Sequence, residues 1–154
     1  MSQAQIGQKI VINPIESTSS TQFSSEMIKG KKVILYFYPK DSTPGCTSES
    51  IDFTSNYDAI QKKNAVVFGI SRDSIQSHEN FKTKYNMPFE LISDPDEILC
   101  NYFDVIKEKN MYGRKYMGIE RSTFLIDENG LLKKEWRKVK VKGHVNEVLQ
   151  ALDE

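Results

Sequence analysis

The run Val33-Ile34-Leu35-Tyr36-Phe37-Tyr38 constrains this chain of 154 residues more than any other segment. Consecutive apolar and aromatic residues leave a strand with no polar face, the pattern of an interior strand covered by other layers on both sides. Similar short runs recur at Ala65–Ser71, Phe89–Ser93, Arg121–Ile126 and Leu131–Val139. Helical spacing fills the earlier gaps. Residues 44–62 carry Phe53, Tyr57 and Ile60, with Ile51 nearby; residues 74–85 follow Asp73 as a cap and carry Ile75 and Phe81. Residues 95–103 open on Asp94-Pro95 and put Leu99, Tyr102 and Phe103 on one side. Asp127-Glu128-Asn129-Gly130 reads as a hairpin turn, because Asn-Gly takes positive φ at little cost. His144 to Leu152 reads as a terminal helix, and the Ser/Thr-rich stretch Ser17–Ser25 as a surface loop with short strand pieces. The order is β-α-β-α-β-α, then a hairpin and a helix. It predicts an α/β fold with a central mixed β-sheet flanked by helices on both faces.

The length fits one domain over residues 1–154, large enough to bury roughly 68–70% of the surface its unfolded form exposes. Lys+Arg and Asp+Glu balance at 21 each, so no charge footprint points to nucleic acid or to an anionic membrane. Met1 to Gln5 has neither the basic region nor the apolar core of a secretory signal, and no apolar stretch reaches membrane-span length. Two cysteines close at most one disulfide, so a reducing, cytoplasmic setting is expected.

Directly after the first strand run comes Pro39-Lys40-Asp41-Ser42-Thr43-Pro44-Gly45-Cys46. Thr43 suits a helix N-cap and Pro44 the first helical position, where a missing N–H costs nothing. Cys46 then falls at the third helical position, among unpaired N–H groups and the positive end of the helix dipole, where an anion is favoured. This reads as a reactive thiol. Cys46-Thr47-Ser48-Glu49 lacks the second cysteine of C-x-x-C, which disfavours dithiol exchange and disulfide isomerisation. Cys46, Cys100, His78 and His144 show no paired spacing suited to a metal, so no metal site is expected. Neither histidine stands in a recognisable Cys–His context: His78 reads as part of a solvated helix face and His144 as a helix-start residue.

Acidity alone is a weak catalyst. Lowering a thiol from about 8.5 to about 6 raises its thiolate fraction at neutral pH roughly 30-fold. Intrinsic nucleophilicity falls with pKa and removes roughly 10-fold of that gain. A fast reaction therefore also needs groups that stabilise charge on the leaving atom. Thr43 offers a hydroxyl one turn from the sulfur, and Gly45 and Cys46 offer backbone N–H groups. Arg121, opening a strand of apolar residues, is the best-placed guanidinium to hold a thiolate and an oxygen pair.

Pro39, Thr43 and Cys46 together spell P-x-x-x-T-x-x-C, which resembles the peroxiredoxin signature. The segment Tyr36–Thr47 is similar to the bacterioferritin comigratory protein, or peroxiredoxin Q, subfamily; so are Ser93-Asp94-Pro95, Tyr116–Asp127 and Trp136–His144. The resemblance implies a thioredoxin-like fold with an N-terminal β extension, and reduction of hydrogen peroxide and organic hydroperoxides. By position, Cys46 would attack the O–O bond and become a sulfenic acid. Thr43 would hydrogen-bond peroxide and sulfur, Pro39 would shield the sulfur, and Arg121 would polarise the peroxide. The resemblance further implies no cofactor, a monomer, and reducing equivalents from thioredoxin or another dithiol or monothiol.

One departure bears on mechanism. The position five residues after Cys46, where many members of the subfamily carry a resolving cysteine, is Ile51, and residues 74–85 contain no cysteine either. One obligatory cysteine resolved by an external thiol is the expectation. Cys100 as a resolving partner is the alternative; its plainer reading is a small half-buried packing residue. A thioredoxin-fold binding or holdase module without peroxidase activity is the remaining class, and it makes no demand for Pro39, Thr43, Cys46 and Arg121 together.

Overall fold

The structure is a computed structural model and describes residues 3–154; Met1 and Ser2 lie outside the described residues, and with them part of the leader reading. In chain order the elements are β1 (Ile15–Ser17), β2 (Thr21–Phe23), a 3-10 turn (Ser25–Ile28), β3 (Lys32–Phe37), α1 (Pro44–Ser55), α2 (Tyr57–Lys62) and β4 (Ala65–Ser71). Then come α3 (Ile75–Lys84), β5 (Glu90–Ser93), α4 (Ile98–Tyr102), β6 (Ile106–Met111), β7 (Arg114–Ile119), β8 (Ser122–Ile126), β9 (Leu132–Trp136) and α5 (His144–Ala151). A seven-stranded sheet runs in the order β2-β1-β5-β4-β3-β8-β9, and β6 and β7 pair separately. Strands β3, β4 and β5 are parallel neighbours; β8 and β9 add antiparallel on one side and β1 and β2 on the other. This is the expected mixed sheet, with β1 and β2 as the N-terminal extension.

The fully buried run Val33–Tyr38, which spans most of β3 and the residue after it, divides the core by alternation. Ile34, Tyr36 and Tyr38 face one side with Phe53, Ile60, Phe81, Val145 and Val148, which belong to α1, α2, α3 and α5. Val33, Leu35 and Phe37 face the other with Leu99, Phe103, Val105, Ile119 and Phe124. The helix carrying Cys46 is pinned to β3 by Phe53, whose ring stacks on Tyr36 at 4.6 Å, and by the 2.9 Å Tyr36–Ser50 hydroxyl pair. Gly69 of β4 is required there, since a Cβ would stand 2.8 Å from the Tyr36 ring and hydroxyl.

Several expected elements are redrawn. The helix over residues 44–62 is two helices, because the Asn56 side chain donates to the Asp52 carbonyl at 2.8 Å and ends α1 there. Ser74, not Asp73, caps α3, its hydroxyl accepting from the Ser77 N–H at 3.1 Å. The helix expected from Pro95 starts at Ile98, because Glu97 takes a left-handed φ of 61°. Asp94 still supplies the cap: its two carboxylate oxygens accept from the Ile98 and Cys100 N–H groups at 2.9 and 2.8 Å. The turn after β8 has positive φ at Gly130 alone, with Asp127 accepting from the Asn129 and Leu131 N–H groups. The β6–β7 hairpin is an addition to the expected elements. Tyr112 and Gly113 form its tip, both at positive φ.

Candidate active site

Strand β3 ends in the core, Pro39 follows half-buried, and Ser42 turns the chain with a φ of 63°. Thr43 returns to extended backbone and stands at the N-cap position of α1, with Pro44 first, Gly45 second and Cys46 third in the helix. Its hydroxyl does not cap the helix. It donates to the Lys40 carbonyl at 2.8 Å, so the side chain fastens the loop and leaves the α1 N–H groups free. Cys46, Glu49, Ser50 and Phe53 are the buried residues of α1, a stripe at helical spacing that carries the sulfur inward. Cys46 is 1% exposed.

The connector between β7 and β8 brings Arg121 across to this helix. Its Nη2 donates to Cys46 Sγ at 3.3 Å and its Nη1 to Glu49 Oε1 at 2.7 Å. Gly45 admits this approach: a Cβ there would lie 3.1 Å from Nη2. Glu49 is fully buried, and burial pushes its carboxyl up to about 7 against the opposing pull of Arg121. Among the described residues, Glu49 Oε2 is the buried side-chain oxygen left without a hydrogen-bond partner. The fork of Arg121 is thus fixed by one carboxylate oxygen while its other arm reaches the sulfur.

A further layer surrounds the pair. His144, the first residue of α5, is buried with Nε2 2.8 Å from Thr123 Oγ1; burial, and the Arg121 charge after it, push its ring down to about 4. Lys109, half-buried on β6, is lowered by burial first and then by repulsion from Arg121. His78 corrects the sequence reading, because it is fully buried rather than on a solvated face. Its burial is bought by hydrogen bonds at both ring nitrogens, to Asp41 and to the Ile92 carbonyl.

Cys100 lies elsewhere. It belongs to the cluster on the opposite side of the sheet from Cys46, and the two thiols are free. It is fully rather than half buried, and burial followed by the neighbouring Asp94 carboxylate pushes its thiol far above the ordinary range.

Of the residues read from sequence, Cys46 and Arg121 are in direct contact, Thr43 and Pro39 stand on the loop leading into the sulfur, and Cys100 is separated from them. Glu49, Thr123, His144 and Lys109 are the additions. Glu49 had a signal available: it lies three residues after Cys46, on the same face of a predicted helix. Thr123 and His144 had none, because only the fold brings β8 and α5 together.

The chain matches the model of the AhpC/TSA family over residues 6–135. Peroxiredoxin Bcp of Xanthomonas campestris is 51% identical to it over 139 residues, 90% of this chain and 87% of that protein. Peroxiredoxin Bcp of Bacillus subtilis is 49% identical over 148 residues, 96% and 94% of the respective chains. A solved structure of the Xanthomonas campestris bacterioferritin comigratory protein, described for its alkyl peroxide reduction activity, superposes with a TM-score of 0.89 at 46% identity, covering 96% of this chain and 97% of that one. No helix among the described residues is long and apolar enough to cross a membrane. With a thioredoxin-like sheet carrying a cysteine under a guanidinium, the chain belongs to the AhpC/TSA family and, within it, to the peroxiredoxins of the Bcp/Q type, which are thiol-dependent peroxidases.

Proposed function

We infer that Cys46 is the peroxidatic cysteine and that it works as the single obligatory thiol of one domain spanning residues 1–154. The 3.3 Å contact from Arg121 Nη2 to the sulfur, fixed by Glu49, carries this reading. The Cys46 thiolate attacks one oxygen of a hydroperoxide, the O–O bond breaks, and the departing alkoxide or hydroxide takes a proton to leave as alcohol or water. The sulfur keeps the other oxygen as a sulfenic acid, oxidised by two electrons. Arg121 has donors beyond those given to Glu49 and the sulfur, and they suit the oxygens of the bound peroxide. Thr43, with its hydroxyl proton committed to Lys40, can accept the hydrogen of the peroxide, and Pro39 covers the approach from solvent.

Resolution falls to an external thiol. It displaces water from the sulfenic acid and forms a mixed disulfide with Cys46; a second thiol releases Cys46 and carries away the disulfide. Ile51 in the helix and Cys100 beyond the sheet support this reading over an internal bridge, since a disulfide needs Cα atoms within about 7 Å. Thioredoxin or another small thiol protein is the reductant, the substrates are hydrogen peroxide and organic hydroperoxides, and the protein acts as a cytoplasmic monomer with no cofactor. The test is Cys46→Ser assayed with a thiol regenerating system. Peroxide consumption should fall to background with the circular dichroism spectrum unchanged; consumption at the wild-type rate would contradict the assignment.

A further inference from the structure

We propose that Asp41 and His78 form a positioning pair that latches the Pro39–Thr43 segment over Cys46, and so sets the balance between peroxide attack and thiol resolution. The proposal rests on the peroxidase reading above and adds to it the residues that govern access to the sulfur.

Asp41 sits in the loop itself, midway between Pro39 and Thr43, and is nearly fully buried. One carboxylate oxygen accepts from the Tyr38 hydroxyl at 2.6 Å; the other meets the Ser77 hydroxyl at 2.8 Å and His78 Nδ1 at 2.7 Å. Its backbone N–H donates to Asp73 Oδ2 at 2.9 Å, and Asp73 is itself held by the Ser71 hydroxyl at 2.5 Å. The loop is therefore tied to Tyr38 just past β3, to Asp73 just past β4 and to α3 through one residue. Lys40 and Ser42 on either side are exposed.

His78 makes the tie exacting. Its Nε2 lies 2.9 Å from the Ile92 carbonyl, which can only accept, so a proton is fixed on that nitrogen. Nδ1 then faces a carboxylate oxygen, and the contact holds only with one further proton between them, whichever atom carries it. Lifting the loop out would leave that ring nitrogen buried without its partner, a costly arrangement. The ligand-capable atoms of Asp41, Asp73 and His78 lie within 4.8 Å of one another, but the hydrogen bonds just given already account for that clustering.

The latch matters because the two half-reactions ask for opposite things. Peroxide is small and reacts in the closed site, where Arg121 and the α1 N–H groups are in place. A protein thiol must approach the sulfenic sulfur closely, and a residue 1% exposed offers no such path until the loop moves. Pro39, Asp41 and Thr43 share that loop, so the Asp41 bonds weigh directly on its opening.

The test compares His78→Leu, which removes both ring contacts, His78→Asn, whose amide can put a donor toward Asp41, and Val148→Ala, a core truncation on α5 away from the loop. Two rates are measured on the reduced proteins: oxidation of Cys46 by hydrogen peroxide, and labelling of Cys46 by a bulky maleimide. In His78→Leu labelling should quicken relative to oxidation, the ratio of the two rates rising about tenfold, the weight of one hydrogen bond to a charged group. His78→Asn should recover most of that shift, and Val148→Ala should not split the two rates at all. Two rates moving together in His78→Leu, or the same split in Val148→Ala, would overturn the latch. Should His78→Leu not fold, Ser77→Ala removes one Asp41 bond and must shift the same ratio in the same direction by a few-fold; an unchanged ratio there would also overturn it. Maleimide labelling needs no peroxide turnover, so failure of the latch and failure of the peroxidase reading are separately visible.

Discussion

Cys46 and Cys100 are both buried, both on helices, and both beside a charged side chain, yet they are opposites as chemistry. Cys46 lies on a helix of 12 residues starting with Thr43-Pro44, with Arg121 donating to its sulfur. Cys100 lies on a helix of 5 residues whose free N–H groups are already taken by the Asp94 carboxylate. One sulfur faces a donor and a positive charge, the other an acceptor and a negative charge. Both thiols are buried, so burial does not tell them apart; what differs is the sign of the neighbour, a donor that stabilises the attacking anion at Cys46 and a carboxylate that adds to what burial already does at Cys100.

The largest effect should come from removing the donor at Cys46. Arg121→Met should lower the second-order rate with hydrogen peroxide by about 10²–10³, the usual loss when one donor to a developing charge is deleted. It also strands Glu49, which then takes up a proton. Stopped-flow measurement of the single oxidation step checks this, and a rate within a few-fold of wild type would remove Arg121 from the site. A middle-sized effect concerns the layer behind it. His144 binds a proton near 6.5 in the unfolded chain but only near 4 when folded, so the unfolded state gains protons first as the solution is acidified. Stability should fall as pH drops from about 6.5 to about 4 and be independent of this group above that window. Denaturant midpoints for wild type and His144→Gln across the window should differ in slope, with the shallower slope in the variant. The smallest effect is at Cys100. Asp94→Asn removes the facing negative charge but not the burial that is the larger cause, so alkylation of Cys100 under alkaline conditions should quicken only a few-fold.

The difference between the two cysteines was half legible in the sequence. Thr43-Pro44 ahead of Cys46 announces a helix start, and the P-x-x-x-T-x-x-C spacing survives folding because it is local. Arg121 could be suspected as a charge beside a buried strand, but its contact spans 75 positions and exists only once β8 pairs with β3. The electrostatics of Cys100 were hidden for the same reason at shorter range: Asp94 looked like a cap for a helix at Pro95, and the left-handed Glu97 moved that helix onto Cys100. His78 was misread because Gln-Ser-His-Glu-Asn is polar throughout, and no periodicity reveals that the ring turns inward to meet a loop aspartate. The β6–β7 hairpin escaped because its strands mix charged and polar residues with exposed apolar ones and carry no long buried run, and Tyr112-Gly113 lacks the Asn or Asp that usually marks such a turn.

The most direct measurement treats the fully reduced protein with one equivalent of hydrogen peroxide, traps sulfenic acid with dimedone, and maps both cysteine peptides by mass spectrometry without reduction. The dimedone adduct should appear on Cys46 while Cys100 remains a free thiol. A Cys46–Cys100 disulfide, or an adduct on Cys100, would contradict the assignment of one reactive cysteine set by its neighbour.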